Sequence, residues 1–194
     1  MTQKSIKGTK TEKNLVIAYM AESSAYTRYT FYAAQANKEG YFPVERIFTE
    51  TAANEMRHGK VFFKFLEGGS VEVPLAVDAG VIADTASNLE TAAREELYEG
   101  VKLYTESAAV AEEEGFPEIA DHFRAIATIE EHHRQRFERY LKRVKDGTVW
   151  KREKPIKWQC MVCGYIFEGT EPPKVCPGCD HPYQHYRALD EADE

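Results

Sequence analysis

Two kinds of residue in this 194-residue chain have the types and spacing to do chemistry. The first is a set of four cysteines in "CMVCGYIFEGTEPPKVCPGC", where Cys160-x-x-Cys163 and Cys176-x-x-Cys179 enclose residues 164–175. Two such pairs at that separation predict four thiolates around one tetrahedral metal ion. The second is a pair of Glu-x-x-His segments, Glu55 with His58 and Glu130 with His133, accompanied by Glu22, Glu96 and Glu99. Carboxylates and imidazoles in that combination are hard, redox-tolerant ligands for iron or manganese, provided that one core collects them.

The apolar periodicity predicts such a core. Thr9 and Glu12 form a capping box that opens a first helix running to Gly40, and Pro43 opens a second that ends at Gly68-Gly69. Ser87 and Glu90 are read as the capping box of a third helix ending at Gly115, and Pro117 opens a fourth ending at Gly147. Taken at alternating steps of three and four, the second helix presents Val44, Phe48, Thr51, Glu55, His58, Phe62 and Phe65 on one face. The fourth presents Ile119, Phe123, Ile126, Glu130, His133, Phe137 and Tyr140, matching it position by position. The first gives Leu15, Ala18, Glu22, Ala25 and Tyr29, and the third Leu89, Ala92, Glu96, Glu99 and Leu103.

Every one of these glutamates sits on the apolar stripe instead of opposite it. Burying several uncompensated carboxylates together is prohibitive, and metal ions resolve the conflict. Two helices with one Glu each and two with Glu-x-x-His carry the ligand pattern of a dinuclear carboxylate site. Glu22 and Glu55 are 33 residues apart and Glu96 and Glu130 are 34 apart, which predicts two helical hairpins related by a rough twofold axis. Short links and one long connection over residues 68–86 predict a mainly α architecture, a ferritin-like four-helix bundle with one crossover. The five carboxylates exceed the charge of a diferrous pair by one, so Glu99 is expected to exchange with His58 as a ligand when the redox state changes. Tyr29 and Tyr104, about two turns beyond Glu22 and Glu96, place phenols within reach of a ligand or a bound oxygen species. His122, His132, His181 and His185 are read as surface residues.

After Gly147 the text changes to "KDGTVWKREKPIKW", a linker into short strands and turns, so residues 1–149 and 150–194 are read as two domains. A core of Trp158, Tyr165, Phe167, Tyr183 and Tyr186 is expected in the second, too small to stand without its metal. Spacing admits zinc or iron there. Gly164 directly after the first pair, the shielding expected of Tyr165 and Trp158, and the need of a dinuclear redox site for an electron source favour iron.

The net charge of −7 argues against a nucleic-acid or anionic-membrane partner. "LVIAYMA" is too short to span a bilayer and no cleavage site follows it, so a cytoplasmic, reducing location is expected, where thiols bind metals.

The segments "AESSAYTRY", "NEMRH", "EELYEG", "IEEHH", "CMVCGY" and "CPGC" together resemble the rubrerythrin family over essentially the whole length. The third helix matches with a one-residue offset that places the family's glutamate pair on Glu96 and Glu99 in preference to Glu95, and Asp180 stands where free rubredoxins usually have Gly. The resemblance implies a non-haem di-iron peroxidase that reduces hydrogen peroxide to water in an anaerobe or microaerophile. It implies Glu22, Glu55, His58, Glu96, Glu99, Glu130 and His133 as ligands of two non-haem irons, and Cys160, Cys163, Cys176 and Cys179 as ligands of a single rubredoxin-like iron that relays electrons. It also implies a homodimer or higher homo-oligomer, with rubredoxin or an NAD(P)H-dependent reductase as electron donor. An alternative is a ferroxidase that oxidises Fe(II) with oxygen; an oxygenase would instead need an apolar substrate cavity beside the metals.

Overall fold

A computed structural model describes residues 4–74, 76 and 79–190, with the side chain of Glu99 also outside the described set. Its helices are α1 (Lys10–Lys38), α2 (Phe42–Phe65), α3 (Thr85–Glu95), a π-helical stretch (Glu96–Leu103), α4 (Tyr104–Glu113) and α5 (Pro117–Lys145). None is long and apolar enough to cross a membrane. The Thr9 hydroxyl accepts from the Glu12 amide over 3.1 Å, as the capping box predicts, but the Glu12 carboxylate reaches back to the Gly8 amide at 2.8 Å. The third helix opens earlier than expected: Asp84, not Ser87, is its N-cap, and its carboxylate accepts from the Ser87 amide. The cause is local, since Asp accepts from the amide three residues on as readily as Ser and stands one turn earlier.

The third helical segment is not α-helical throughout. Glu22 and Tyr29 are seven residues apart on α1, whereas Glu96 and Tyr104 are eight apart. Two α-helical turns accommodate seven residues, and the wider turns of the π-helical stretch absorb the eighth. Within that stretch Gly100 faces α5 so closely that a Cβ would lie 2.3 Å from Cβ of Glu130.

The apolar stripes bury as two clusters at opposite ends of the bundle. One contains Leu15, Phe62, Tyr104, Ile119, Phe123 and Ile126. The other contains Tyr29, Val44, Phe48, Leu89, Phe137 and Tyr140. The inward carboxylates occupy the layer between them.

The tail is a three-stranded antiparallel sheet in the order β2-β1-β3, with β1 at Ile156–Cys160, β2 at Ile166–Gly169 and β3 at Tyr186–Ala188. Its small core holds Trp158, Tyr186, Cys160, Cys176 and Ala188, with Phe167 and Trp150 packed against it. Two expected members are absent. Tyr165 and Tyr183 are 41% and 38% exposed: the first follows the turn at Cys163, and the second, on a short 3-10 helix, makes an edge contact with Trp150 at the rim. Two ring stacks fasten the tail to α2: Tyr41 on Trp150 at 5.7 Å and Phe42 on His185 at 3.9 Å. His185 is therefore a packing residue at the junction, not the free surface histidine expected.

Candidate metal centres

Each helix lends the middle layer a side chain at half its height. Glu22, Glu55, His58, Glu96, Glu130 and His133 are all buried, none more than 7% exposed. One donor atom from each of Glu22, Glu55, His58 and Glu130 falls within a 4.8 Å group, and so does one from each of Glu55, Glu96, Glu130 and His133. Two four-donor groups thus share Glu55 and Glu130, so the six side chains could hold two cations side by side. Glu99 lies in the π-helical stretch, and its side chain is outside the described residues.

The electrostatics of the layer follow from its burial and its crowding. Burial, reinforced by the charges of Glu130 and Glu55, raises the pKa of Glu22 well above the carboxylate range. Burial and the same two neighbours do so for Glu96. Burial opposes charge on His58 too, yet hydrogen bonds that its ring donates to Glu130 and Glu55 outweigh it and push the imidazole up to about 10. For Glu130, contacts with His133 and His58 outweigh burial and bring it down to about 2. These shifts all follow from crowding carboxylates into one buried layer, a donor set that suits hard cations.

The two phenols form a crossed pair around the layer. Tyr29 on α1 donates to Glu96 Oε1 at 2.7 Å, and Tyr104 at the start of α4 donates to Glu22 Oε1 at 2.6 Å. Each hairpin therefore orients a carboxylate of the other. Burial, with Glu96 for Tyr29 and Glu22 for Tyr104, raises both phenols well above their ordinary pKa, so each keeps its proton.

In the tail, Sγ atoms of Cys160 and Cys179 are 3.7 Å apart, and those of Cys163 and Cys176 are 3.6 Å apart. A disulfide would bring them to about 2 Å. A tetrahedron with metal–sulfur bonds of about 2.3 Å has edges of about 3.8 Å, so the cradle fits one ion. Gly164 turns with φ +80°, and its amide donates to the Cys160 carbonyl at 2.9 Å. Asp180 alone among the described non-glycine residues has positive φ, +59°, which accounts for an Asp where a Gly was expected. The cysteine site is less screened than anticipated, since Cys163 is exposed and Tyr165 stands open to solvent.

His132 is exposed and His122 half-buried, its ring near Phe65. Three participants carried no periodic signal. Asn54 approaches His133 Nε2 at 3.3 Å, Arg136 donates to Thr51 at 2.6 Å beside the layer, and Arg28 pairs with Glu95. Polar residues beside an inward glutamate read as solvated faces, and only packing shows which of them are covered.

A family model described as rubrerythrin matches residues 13–141 and 87–159, and one described as the rubrerythrin rubredoxin-like domain matches residues 158–187. A rubrerythrin of Porphyromonas gingivalis is 48% identical over 96% of this chain and 93% of that protein. A rubrerythrin of Nitratidesulfovibrio vulgaris is 46% identical over 96% and 97%. Among solved structures, nigerythrin in a mixed-valence state superposes with TM-score 0.62 at 27% identity, over 95% of this chain and 92% of that one. A bacterioferritin from Desulfovibrio desulfuricans, at 22% identity and TM-score 0.58 over 70% and 82%, shares the fold. The bundle thus carries a ferritin-like di-iron site of carboxylate and imidazole groups, and the tail a four-cysteine rubredoxin-like iron site.

Proposed function

Because the chain belongs to the rubrerythrin family, we propose that it is a non-haem di-iron peroxidase that reduces hydrogen peroxide to water. Residues 1–149 form the catalytic bundle, and residues 150–194 form a domain that relays electrons to it. What supports this above all is the presence in one chain of a buried carboxylate–imidazole layer and a four-cysteine cradle. A storage protein has no use for the second, because it releases the iron it oxidises.

Glu22, Glu55, His58, Glu96, Glu99, Glu130 and His133 are the proposed ligands of the iron pair, and Cys160, Cys163, Cys176 and Cys179 those of the single iron. When bound, the pair supplies the two electrons and the oxygen-orienting template that reduction of an O–O bond requires. The chain's own residues prepare the place. Glu22, Glu55, Glu96, Gly100, Tyr104 and Glu130 help line a space of about 20 Å³ at the layer. That space is where the proposed iron pair would sit, and it is far too small for an organic substrate. The large groove of about 620 Å³ lies elsewhere, between α1 and residues 79–82, and none of the proposed ligands lines it. Tyr29 and Tyr104 hold their protons on the phenol oxygens and fix the rotamers of Glu96 and Glu22. The two apolar clusters above and below exclude bulk water.

The tail docks at Tyr41 and Phe42, and Glu55 lies thirteen residues along α2, about 20 Å away at 1.5 Å per residue. Delivery from the cysteine iron of one subunit to the bundle of its partner in a homodimer is part of this reading. Rubredoxin or an NAD(P)H-dependent reductase is the proposed external donor.

The test uses anaerobically reduced, iron-loaded protein and one equivalent of hydrogen peroxide per di-iron site. Fast return of the ferric cysteine-iron absorbance with peroxide, and slow return with oxygen, is the expected result. Faster reaction with oxygen, or iron leaving the bundle on oxidation, would overturn the peroxidase in favour of the ferroxidase.

A further inference from the structure

Arg28 and Tyr29 are neighbours on α1, and Glu95 and Glu96 are neighbours where α3 passes into the π-helical stretch. The four side chains meet as two rungs. Arg28 Nη1 is in direct ion-pair contact with Glu95 Oε2, and Tyr29 donates to Glu96 Oε1 at 2.7 Å. The ion pair is largely covered, with side chains 13% and 9% exposed, and among the described residues no hydrogen bond reaches either oxygen of Glu95. Arg28 is thus the compensating charge of a buried carboxylate that belongs to neither donor group of the layer, although Glu95 borders the same small space as Glu22, Glu55, Glu96 and Glu130.

The junction itself specifies register weakly. A π-helical stretch accommodates one residue more than an α-helix, and moving its start by one position rotates a different residue into the core. Here the two candidates are both glutamates, so their chemistry toward a cation is the same. A slip that set Glu95 opposite Tyr29 would also set Arg94 opposite Arg28, like charge against like. We propose that Arg28 is a positioning residue whose ion pair holds Glu95 away from the iron pair and so selects Glu96 as the inward carboxylate. This rests on the reading of Glu96 as a ligand.

The test compares bundle iron in Glu96→Gln with that in Arg28→Met/Glu96→Gln, each reconstituted with ferrous iron and checked for native helical content. Glu96→Gln is expected to lose one iron of the pair. Removing Arg28 frees Glu95 to turn inward, so the double variant is expected to regain that iron, with a shifted diferric absorption spectrum. A folded double variant holding no more iron than Glu96→Gln would overturn the lock. A full iron complement in Glu96→Gln alone would instead overturn Glu96 as a ligand, and the lock with it. Should the double variant not fold, Arg28→Met alone decides: two populations of bundle iron by Mössbauer spectroscopy support competition between Glu95 and Glu96, and one wild-type population overturns it. Arg28→Lys, which keeps the charge, is expected to retain the wild-type spectrum.

Discussion

At the scale of single residues, the layer is a set of groups that exchange protons for metal. Burial and neighbouring carboxylates raise Glu22 and Glu96 well above their ordinary values, and His58 is pushed up to about 10, so the layer favours bound protons where no cation compensates it. Ligands must lose such protons, so iron loading is expected to release protons, with affinity rising as pH rises. Calorimetric titrations in buffers of different ionisation enthalpy measure the release directly; an enthalpy independent of buffer contradicts it. The phenols act one step further out. Tyr104→Phe or Tyr29→Phe removes the hydrogen bond that orients Glu22 or Glu96, and partners of this kind change metal affinity or activity by about 10–100-fold. An iron affinity unchanged in both variants would show that packing alone sets the carboxylate rotamers.

Among the elements, the π-helical stretch and the start of α1 carry distinct consequences. Gly100 lets the stretch lie against Glu130, and Gly100→Ala puts a Cβ 2.3 Å from Cβ of Glu130. The helix must move outward, so reduced iron content is expected together with a loss of thermal stability of a few kcal/mol, the range of overpacked cores. A variant with wild-type iron and melting temperature would show that the stretch tolerates the shift. At the N-terminus, the Gly8 amide bonded to Glu12 holds that carboxyl below its usual range, helped by Lys7. A folded-state pKa that is depressed stabilises above the unfolded carboxylate range and is lost as pH falls through the folded value. Glu12→Gln is therefore expected to lower stability by about 1 kcal/mol near neutrality, a typical capping effect, and by progressively less in acid. Urea midpoints that stay equally separated at both pH values contradict this.

For the whole molecule, the decisive question is how the two iron sites communicate. Ring stacks of Tyr41 with Trp150 and Phe42 with His185 hold the tail at one end of α2, while the layer sits at the middle. If electrons cross between subunits, a chain with Cys176→Ser and a chain with Glu130→Gln, each expected to be inactive alone, are expected to regain the proposed peroxidase turnover when refolded together. No activity in the mixed sample, with heterodimers verified, would place the relay within one chain. The same architecture predicts that removing the tail iron with a chelator unfolds residues 150–194 and leaves the bundle intact, because the tail's core is too small to persist unaided.

The apolar period of each helix, broken at half height by Glu or Glu-x-x-His, determined the bundle and the carboxylate–imidazole layer, and the two Cys-x-x-Cys pairs determined the tail site. These are local patterns, and a buried charge stands out wherever it interrupts an apolar stripe. The packing of one element on another was not legible. The stripe selects Glu96 over Glu95, but nothing local says what becomes of Glu95, or gives His185 a stacking partner rather than solvent. Only the tertiary structure pairs Arg28 with Glu95, crosses each phenol to the opposite hairpin, and inserts a π-helical stretch to absorb the eighth residue between Glu96 and Tyr104. Those outcomes depend on which surfaces meet, and that is decided by the closing of the four helices around one charged layer.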